Sequence, residues 1–256
     1  MKKPCIVALA GKGGTGKTTA SALLITSLIE MGITPILAVD ADPNANLHEA
    51  LGIEIRETLG SMREEAFTKS IPLGMSRAEF IKYRFRQVLV ESNGFDLVAM
   101  GRPEGMGCYC FANNLISESM RHLEDEYCFV VIDTEAGMEH ISRGTIGKPH
   151  ILLILSDPTA RGLHTALRIR DIAISIGIED ESIYLVVNRF KSGIARVLHG
   201  PLKVLAQIPE DIEVENSDLQ GAPISSIPRD SSARTAVQQL ARSVLEICET
   251  DYGSLQ

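Results

Sequence analysis

Short apolar runs alternate with longer stretches of helical periodicity along almost the whole chain. Cys5-Ile6-Val7-Ala8-Leu9-Ala10 is apolar and partly β-branched, the pattern of a strand buried on both faces. From Lys17 onward, Ala20, Ala22, Leu23, Leu24, Ile25, Leu28 and Ile29 recur until Gly32, which predicts an amphipathic helix. Further strands are predicted over residues 35–39, 95–100, 128–132, 182–187 and 203–207. A helix is expected to begin near Asn113, and residues 231–248 carry a C-terminal helical pattern. No Pro/Gly/Ser-rich linker or internal repeat breaks the alternation. It predicts an α/β fold: a doubly wound, mostly parallel sheet with helices on both faces, in a single domain over residues 1–256.

Between the first strand and the first helix stands Gly11-Lys12-Gly13-Gly14-Thr15-Gly16-Lys17-Thr18-Thr19. A glycine-rich turn ending in Gly-Lys-Thr in that position is a phosphate-binding loop. Gly13, Gly14 and Gly16 let successive backbone N–H groups turn inward, with Thr15 and Thr19 in the same cradle. The helix N-terminus adds its own unpaired donors and its positive dipole end. Lys17 is placed to reach the outer phosphates, and Thr18 to give its hydroxyl to Mg²⁺. Lys12 is a second cation, where a loop of this type needs one. The loop resembles the deviant form of the family that includes MinD, ParA, the nitrogenase iron protein and the arsenite and tail-anchor ATPases. That resemblance implies two subunits closing face to face around two nucleotides. Lys12 then reaches the partner's phosphates and stabilises transition-state charge as an arginine finger does.

Carboxylates follow at two strand ends, the positions that face the ligand crevice of an open α/β sheet. Asp40-Ala41-Asp42-Pro43-Asn44 ends the second strand, and two acids beside a phosphate loop suit Mg²⁺ hydration and water activation. Asp-Pro-Asn is also ordinary turn chemistry. The resemblance assigns Asp42 to the attacking water and Asp40 to outer support of Mg²⁺. Asp133 ends a second apolar run, a Walker B pattern in which it holds a Mg²⁺-bound water. Gly137 falls where the family senses the γ-phosphate, although Glu135 replaces the proline of the partition ATPases. Asn188-Arg189-Phe190-Lys191 stands where GTPases place N-K-x-D. Lys191 cannot accept the guanine N–H donors, so ATP/ADP is favoured. Asn188, with Arg189 beside it, is left to pair with the adenine edge or to close a turn. The segment Ile208-Pro209-Glu210-Asp211 resembles the family's loop over the base.

The 256 residues are 45% hydrophobic, which excludes disorder, and contain no apolar run of the ~18 residues that span a membrane. The Lys-Lys-apolar opening is too short for an export signal, and Gly11-Lys12 puts charge where cleavage would fall; a cytoplasmic location is expected. A net charge of −8 argues against nonspecific nucleic-acid binding. Five cysteines, an odd number, are expected as free thiols, with Cys5, Cys128 and Cys248 as small buried hydrophobes.

Cys108 and Cys110 differ, because they follow a loop rich in glycine and proline, Gly101-Arg102-Pro103-Glu104-Gly105-Met106-Gly107. Thiolates there suit nickel, zinc, copper(I) or an iron–sulfur cluster, and incidental cysteines stay open. A closed site needs four ligands, His122 and His140 being the other candidates in sequence. A two-fold dimer supplies four sulfurs from two pairs. With Asp133-Thr134-Glu135-Ala136-Gly137-Met138-Glu139-His140 and Arg143-Gly144-Thr145, these motifs resemble the CooC family over about the first 210 residues. The resemblance implies an ATPase that dimerises with ATP and metal. Its Cys108 and Cys110, from both subunits, bind Ni²⁺ (Zn²⁺ fits four sulfurs as well). It delivers nickel to an apo carbon monoxide dehydrogenase or acetyl-CoA synthase, without nucleic acid or membrane as partner. Residues 54–92 are the expected docking region, and the last forty residues carry no diagnostic feature. Two rivals are an iron–sulfur carrier like the nitrogenase iron protein and a MinD- or ParA-like positioning ATPase. The stretch from Asp133 to His140 holds no cysteine for the first, and residues 231–248 mix charges too evenly for a basic anchor.

Overall fold

The computed structural model describes residues 4–68, 71–101, 118–121, 123–135, 148–191 and 201–252. β1 (Cys5–Gly11) runs through the middle of an eight-stranded sheet, between β5 (Phe129–Thr134) and β6 (Ile151–Ser156). Beyond β5 lie β2 (Ile36–Ala41), β4 (Phe95–Ala99) and the two-residue β3 (Val90–Glu91). Beyond β6 lie β7 (Ile183–Phe190) and β8 (Lys203–Pro209). Every pairing is parallel except β3 with β4. The doubly wound, mostly parallel α/β fold is the one the alternating pattern predicts.

A central parallel strand is covered on both faces, so its residues divide between two cores. Ile6, Ala8 and Ala10 join the core under α3 (Leu59–Thr68), α4 (Arg77–Val88) and α5 (Ala160–Ser175). Cys5, Val7 and Leu9 join the other, under α1 (Lys17–Glu30), α2 (Leu47–Leu51) and α7 (Ser232–Tyr252). Residues 54–92, the expected docking region, contain α3 and α4. Phe80, Ile81, Phe85 and Val88 of α4 are buried in the first core. The capping box that opens α4 is legible in the sequence: Ser76 Oγ accepts Glu79 N–H at 3.2 Å, and Glu79 Oε2 accepts Ser76 N–H at 2.7 Å.

Three expectations change. Helix α1 is not amphipathic, because the sheet and α7 both pack against it and together bury Ala20, Ser21, Ala22, Leu23, Leu24, Ile25, Ser27 and Leu28. The C-terminal helix is therefore part of the core, through Val237, Leu240, Ala241, Val244 and Cys248. Its cysteine is not a free thiol: Cys248 is disulfide-bonded to Cys5, 243 residues away, with Cα atoms 6.1 Å apart. Cys128 is free and half-buried, with Sγ 3.1 Å from the Pro35 carbonyl. Among the described residues, no helix is long and apolar enough to cross a membrane.

A part-buried ion pair fixes α7 to α1. Arg234 is 7% exposed, donates from Nη2 to Glu30 Oε1 at 2.6 Å and from Nη1 to the Ile227 carbonyl at 2.8 Å. Replacing Arg234 with Ala leaves the Ile227 carbonyl without its donor and leaves Glu30 to the exposed Arg229, whose Nε is 3.5 Å from Oε1. A loss of roughly 2–4 kcal/mol in unfolding free energy is expected from urea titration.

Candidate functional site

The glycine-rich loop leaves the C-terminal end of β1 and enters α1 at Gly16, whose φ of 86° is left-handed. A Cβ there would lie 2.5 Å from Asn188 Nδ2, so glycine is required twice over. Gly16 provides no side-chain cap, and the first turn of α1 holds no acidic residue. The positive end of the helix is thus left to an external anion. Lys12, Gly13 and Gly14 are exposed, whereas Thr15 and Lys17 are buried. Thr15 Oγ1 donates to the Lys12 carbonyl at 2.8 Å and tightens the turn. Lys17 folds back across it, with Nζ 3.3 Å from the Gly11 carbonyl and 3.5 Å from that of Lys12.

Strand register brings the predicted carboxylates together: Asp40 on β2 is opposite Asp133 on β5. Both are almost fully buried. Asp40 is occupied structurally, since one oxygen accepts Asp42 N–H at 3.1 Å and the other Leu47 N–H at 2.8 Å. It anchors the loop that presents Asp42. Burial raises its pKa to about 6, against the lowering pull of those two N–H groups. Asp42 is half-buried and accepts Asn44 N–H at 2.8 Å, the Asx turn foreseen in Asp-Pro-Asn.

Asp133 is different. Ser21 Oγ donates to its Oδ1 at 3.2 Å, while Oδ2 is buried with no hydrogen-bond partner among the described residues. Burial is the main cause that lifts its pKa to about 7, and the Asp40 charge adds to it. The nearby Thr18 hydroxyl and the Lys17 cation pull the other way. An orphaned carboxylate oxygen beside a threonine hydroxyl is a donor set for a hard, oxygen-seeking cation, so these residues fit Mg²⁺. Asp40, with both oxygens taken, fits it less well.

A cavity of about 460 Å³ opens on the other side of the loop, within the range of small-ligand sites. The predicted residues Gly16, Thr19, Asn188, Arg189, Pro209 and Glu210 all line it. Asn188 stands between the cavity and the loop: Nδ2 donates to the Thr15 carbonyl at 2.8 Å and Oδ1 accepts Arg189 N–H at 2.9 Å. Its amide ties β7 to the phosphate loop as well as facing the cavity. Lys191 forms an exposed ion pair with Glu210 at 3.0 Å. Asp211, the last residue of the predicted loop over the base, begins the far wall; the sequence reading missed the rest of it, Val214, Glu215, Asp218 and Leu219, with Ala233 of α7. The helix here is α6 (Ile212–Gln220). Its only local signal was Asp211 as a helix cap.

Cys108, Cys110, His122, Gly137 and His140 lie outside the described residues. Among those described, no group of three or more His, Cys, Asp or Glu is placed to hold a metal.

The raised pKa of Asp133 has a consequence for stability. Between its ordinary value of 3.8 and about 7 the folded chain binds the proton more tightly than the unfolded chain does. The residue's contribution therefore declines as pH rises through that window and is least favourable above it. Asp133→Asn removes the cost. The ligand-free variant should match the wild type near pH 4 and exceed it by roughly 4 kcal/mol at pH 8, measured by denaturant titration.

Comparison with known proteins agrees with this geometry. Residues 6–224 match the family described as CobQ/CobB/MinD/ParA nucleotide binding domain. An uncharacterized ATP-binding protein of Methanocaldococcus jannaschii is 37% identical over 249 residues, 94% of this chain and 98% of that one. The carbon monoxide dehydrogenase accessory protein CooC of Rhodospirillum rubrum is 30% identical over 258 residues, 94% of this chain and 96% of its own. The solved structure of the septum site-determining protein MinD of Pyrococcus horikoshii, complexed with Mg-ADP, shares the fold. It has a TM-score of 0.71 at 22% identity, with 96% and 98% of the two chains covered. A phosphate loop closing the central strand, carboxylates at two neighbouring strand ends and a match over most of the sequence agree: the chain belongs to the CobQ/CobB/MinD/ParA nucleotide-binding family.

Proposed function

We propose that the chain is a Mg²⁺-dependent ATPase of the CooC kind. In this reading it forms one domain over residues 1–256, works in the cytoplasm and delivers nickel to an apo carbon monoxide dehydrogenase or acetyl-CoA synthase. The observation that carries the ATPase reading is the convergence of Lys17, Thr18 and the partnerless Oδ2 of Asp133 beside the phosphate loop. The delivery reading rests on Cys108-Tyr109-Cys110 in a chain aligned almost end to end with CooC.

In this mechanism the base lies in the 460 Å³ cavity and the phosphates lie along the loop. Lys17 and the N–H groups of residues 13–18 hold the phosphates. Mg²⁺, when bound by Thr18 and through Asp133, supplies neutralisation of phosphate charge. Asp42, presented by the loop that Asp40 anchors, orients the attacking water. Its oxygen bonds to the γ-phosphorus as the β–γ bridging bond breaks, yielding ADP and phosphate, with the water proton passing to Asp42. Lys12 is exposed, as a cation must be to reach the phosphates of a second subunit. Gly137 senses the γ-phosphate, and paired Cys108 and Cys110 carry the metal as cargo. The change of state on hydrolysis alters the sulfur geometry, so nucleotide and metal change each other's affinity by one factor. A MinD-like membrane role is disfavoured by α7, whose Val237, Leu240 and Val244 are buried in the core where an anchor would turn them outward.

Three measurements test this reading. Lys12→Ala is expected to lower ATP turnover by about 10³-fold while nucleotide binding persists. Joint replacement of Cys108 and Cys110 by Ala should abolish nickel binding in equilibrium dialysis and leave hydrolysis within a few-fold of wild type. A wild-type chain that stays monomeric with ATP and nickel saturating, judged by light scattering, would overturn it.

A further inference from the structure

The geometry points to Asp211 as the positioning residue of the nucleoside cavity, a single carboxylate that sets the far wall by capping two helices at once. The inference deepens the ATPase reading and rests on it. Asp211 Oδ1 accepts Glu213 N–H at 2.9 Å, in the first turn of α6. Its Oδ2 accepts Ser232 Oγ–H and Ala233 N–H, both at 2.8 Å, at the start of α7. Partial burial pushes its pKa up, but these donors outweigh that effect and hold it below the usual carboxylate range.

The walls of the cavity are not equally secured. Gly16, Thr19 and Leu23 belong to the loop and to α1, which is buried between the sheet and α7. Asn188 and Ile208 sit at the ends of paired strands. Helix α6 is held more lightly: Ser217 is its only buried residue, with Oγ 3.3 Å from Ser226 Oγ, and Ile212 and Leu219 are 61% and 79% exposed. At its N-terminal end β8 stops two residues earlier, at Pro209, and the side-chain tie runs to α7, itself held to α1 through Arg234 and Glu30. Asp211 transfers that fixed position to α6, and with it to Val214, Asp218 and Leu219 of the wall. Without the carboxylate, α6 keeps its sequence and loses its distance from the loop. The phosphate cradle, built from β1 and α1, does not depend on it.

That division gives the test. Affinities for ATP and for inorganic tripolyphosphate, both with Mg²⁺, are measured by calorimetry on the full chain, at a temperature where circular dichroism shows each variant folded. Asp211→Ala should weaken ATP about tenfold and tripolyphosphate less than about twofold. Asp211→Asn keeps one acceptor, and the amide it presents to Ala233 N–H cannot accept, so its ATP loss should be intermediate; if the alanine variant does not fold, this one carries the test. Equal losses for both ligands, or no loss for either, would reduce Asp211 to an ordinary helix cap and end the proposal. Failure of the wild type to bind either ligand would remove the nucleotide reading and this one with it.

Discussion

Two carboxylates buried side by side at the ends of neighbouring strands are the arrangement around which the rest of the site is organised. Asp40 and Asp133 share one register position across β2 and β5. Each is driven toward its protonated form, by burial first. A fold tolerates such a pair only when each charge has a task that returns stabilisation. Asp40 finds its return in two backbone N–H groups and so fixes the loop carrying Asp42. Asp133 finds only part of its return in Ser21, Thr18 and Lys17. The remainder is left to whatever ligand supplies positive charge at that spot, which makes the resting state of the site costly and its filled state favourable.

The elements read most easily from sequence are those whose chemistry is local. A glycine-rich turn between an apolar run and a helical pattern needs nothing from elsewhere, and the loop stands where Gly11 to Thr19 predict it. Asp40 and Asp133 were legible because strand ends in an open parallel sheet face one crevice. Asp211 was legible as the end of the loop over the base, but the α6 wall and the cap were not, because a contact between Asp211 and Ser232, 21 residues apart, leaves no periodic trace. The role of α7 was hidden for a related reason. Its pattern of Val237, Leu240, Ala241 and Val244 shows that one face is buried but not against what. The partner is α1, and that contact also erases the amphipathic character expected there.

The cysteines show where composition misleads. An odd count with no framework spacing argues for free thiols, yet pairing requires only that two side chains meet. Cys5 and Cys248 meet because α7 lies across the face of the sheet to which Cys5 points. Cys128 is free, bonded to no other cysteine among the described residues. The Cys108 and Cys110 pair, by contrast, is legible only as sequence, and its meaning comes from the company of the surrounding motifs.

The covering of α1 by the last 21-residue helix bears on how the chain is made. Until residues 232–252 have been made, the helix behind the phosphate loop keeps a bare apolar flank and the cavity lacks Ala233 at its rim. Competence to bind nucleotide therefore waits on residues more than two hundred positions beyond the loop.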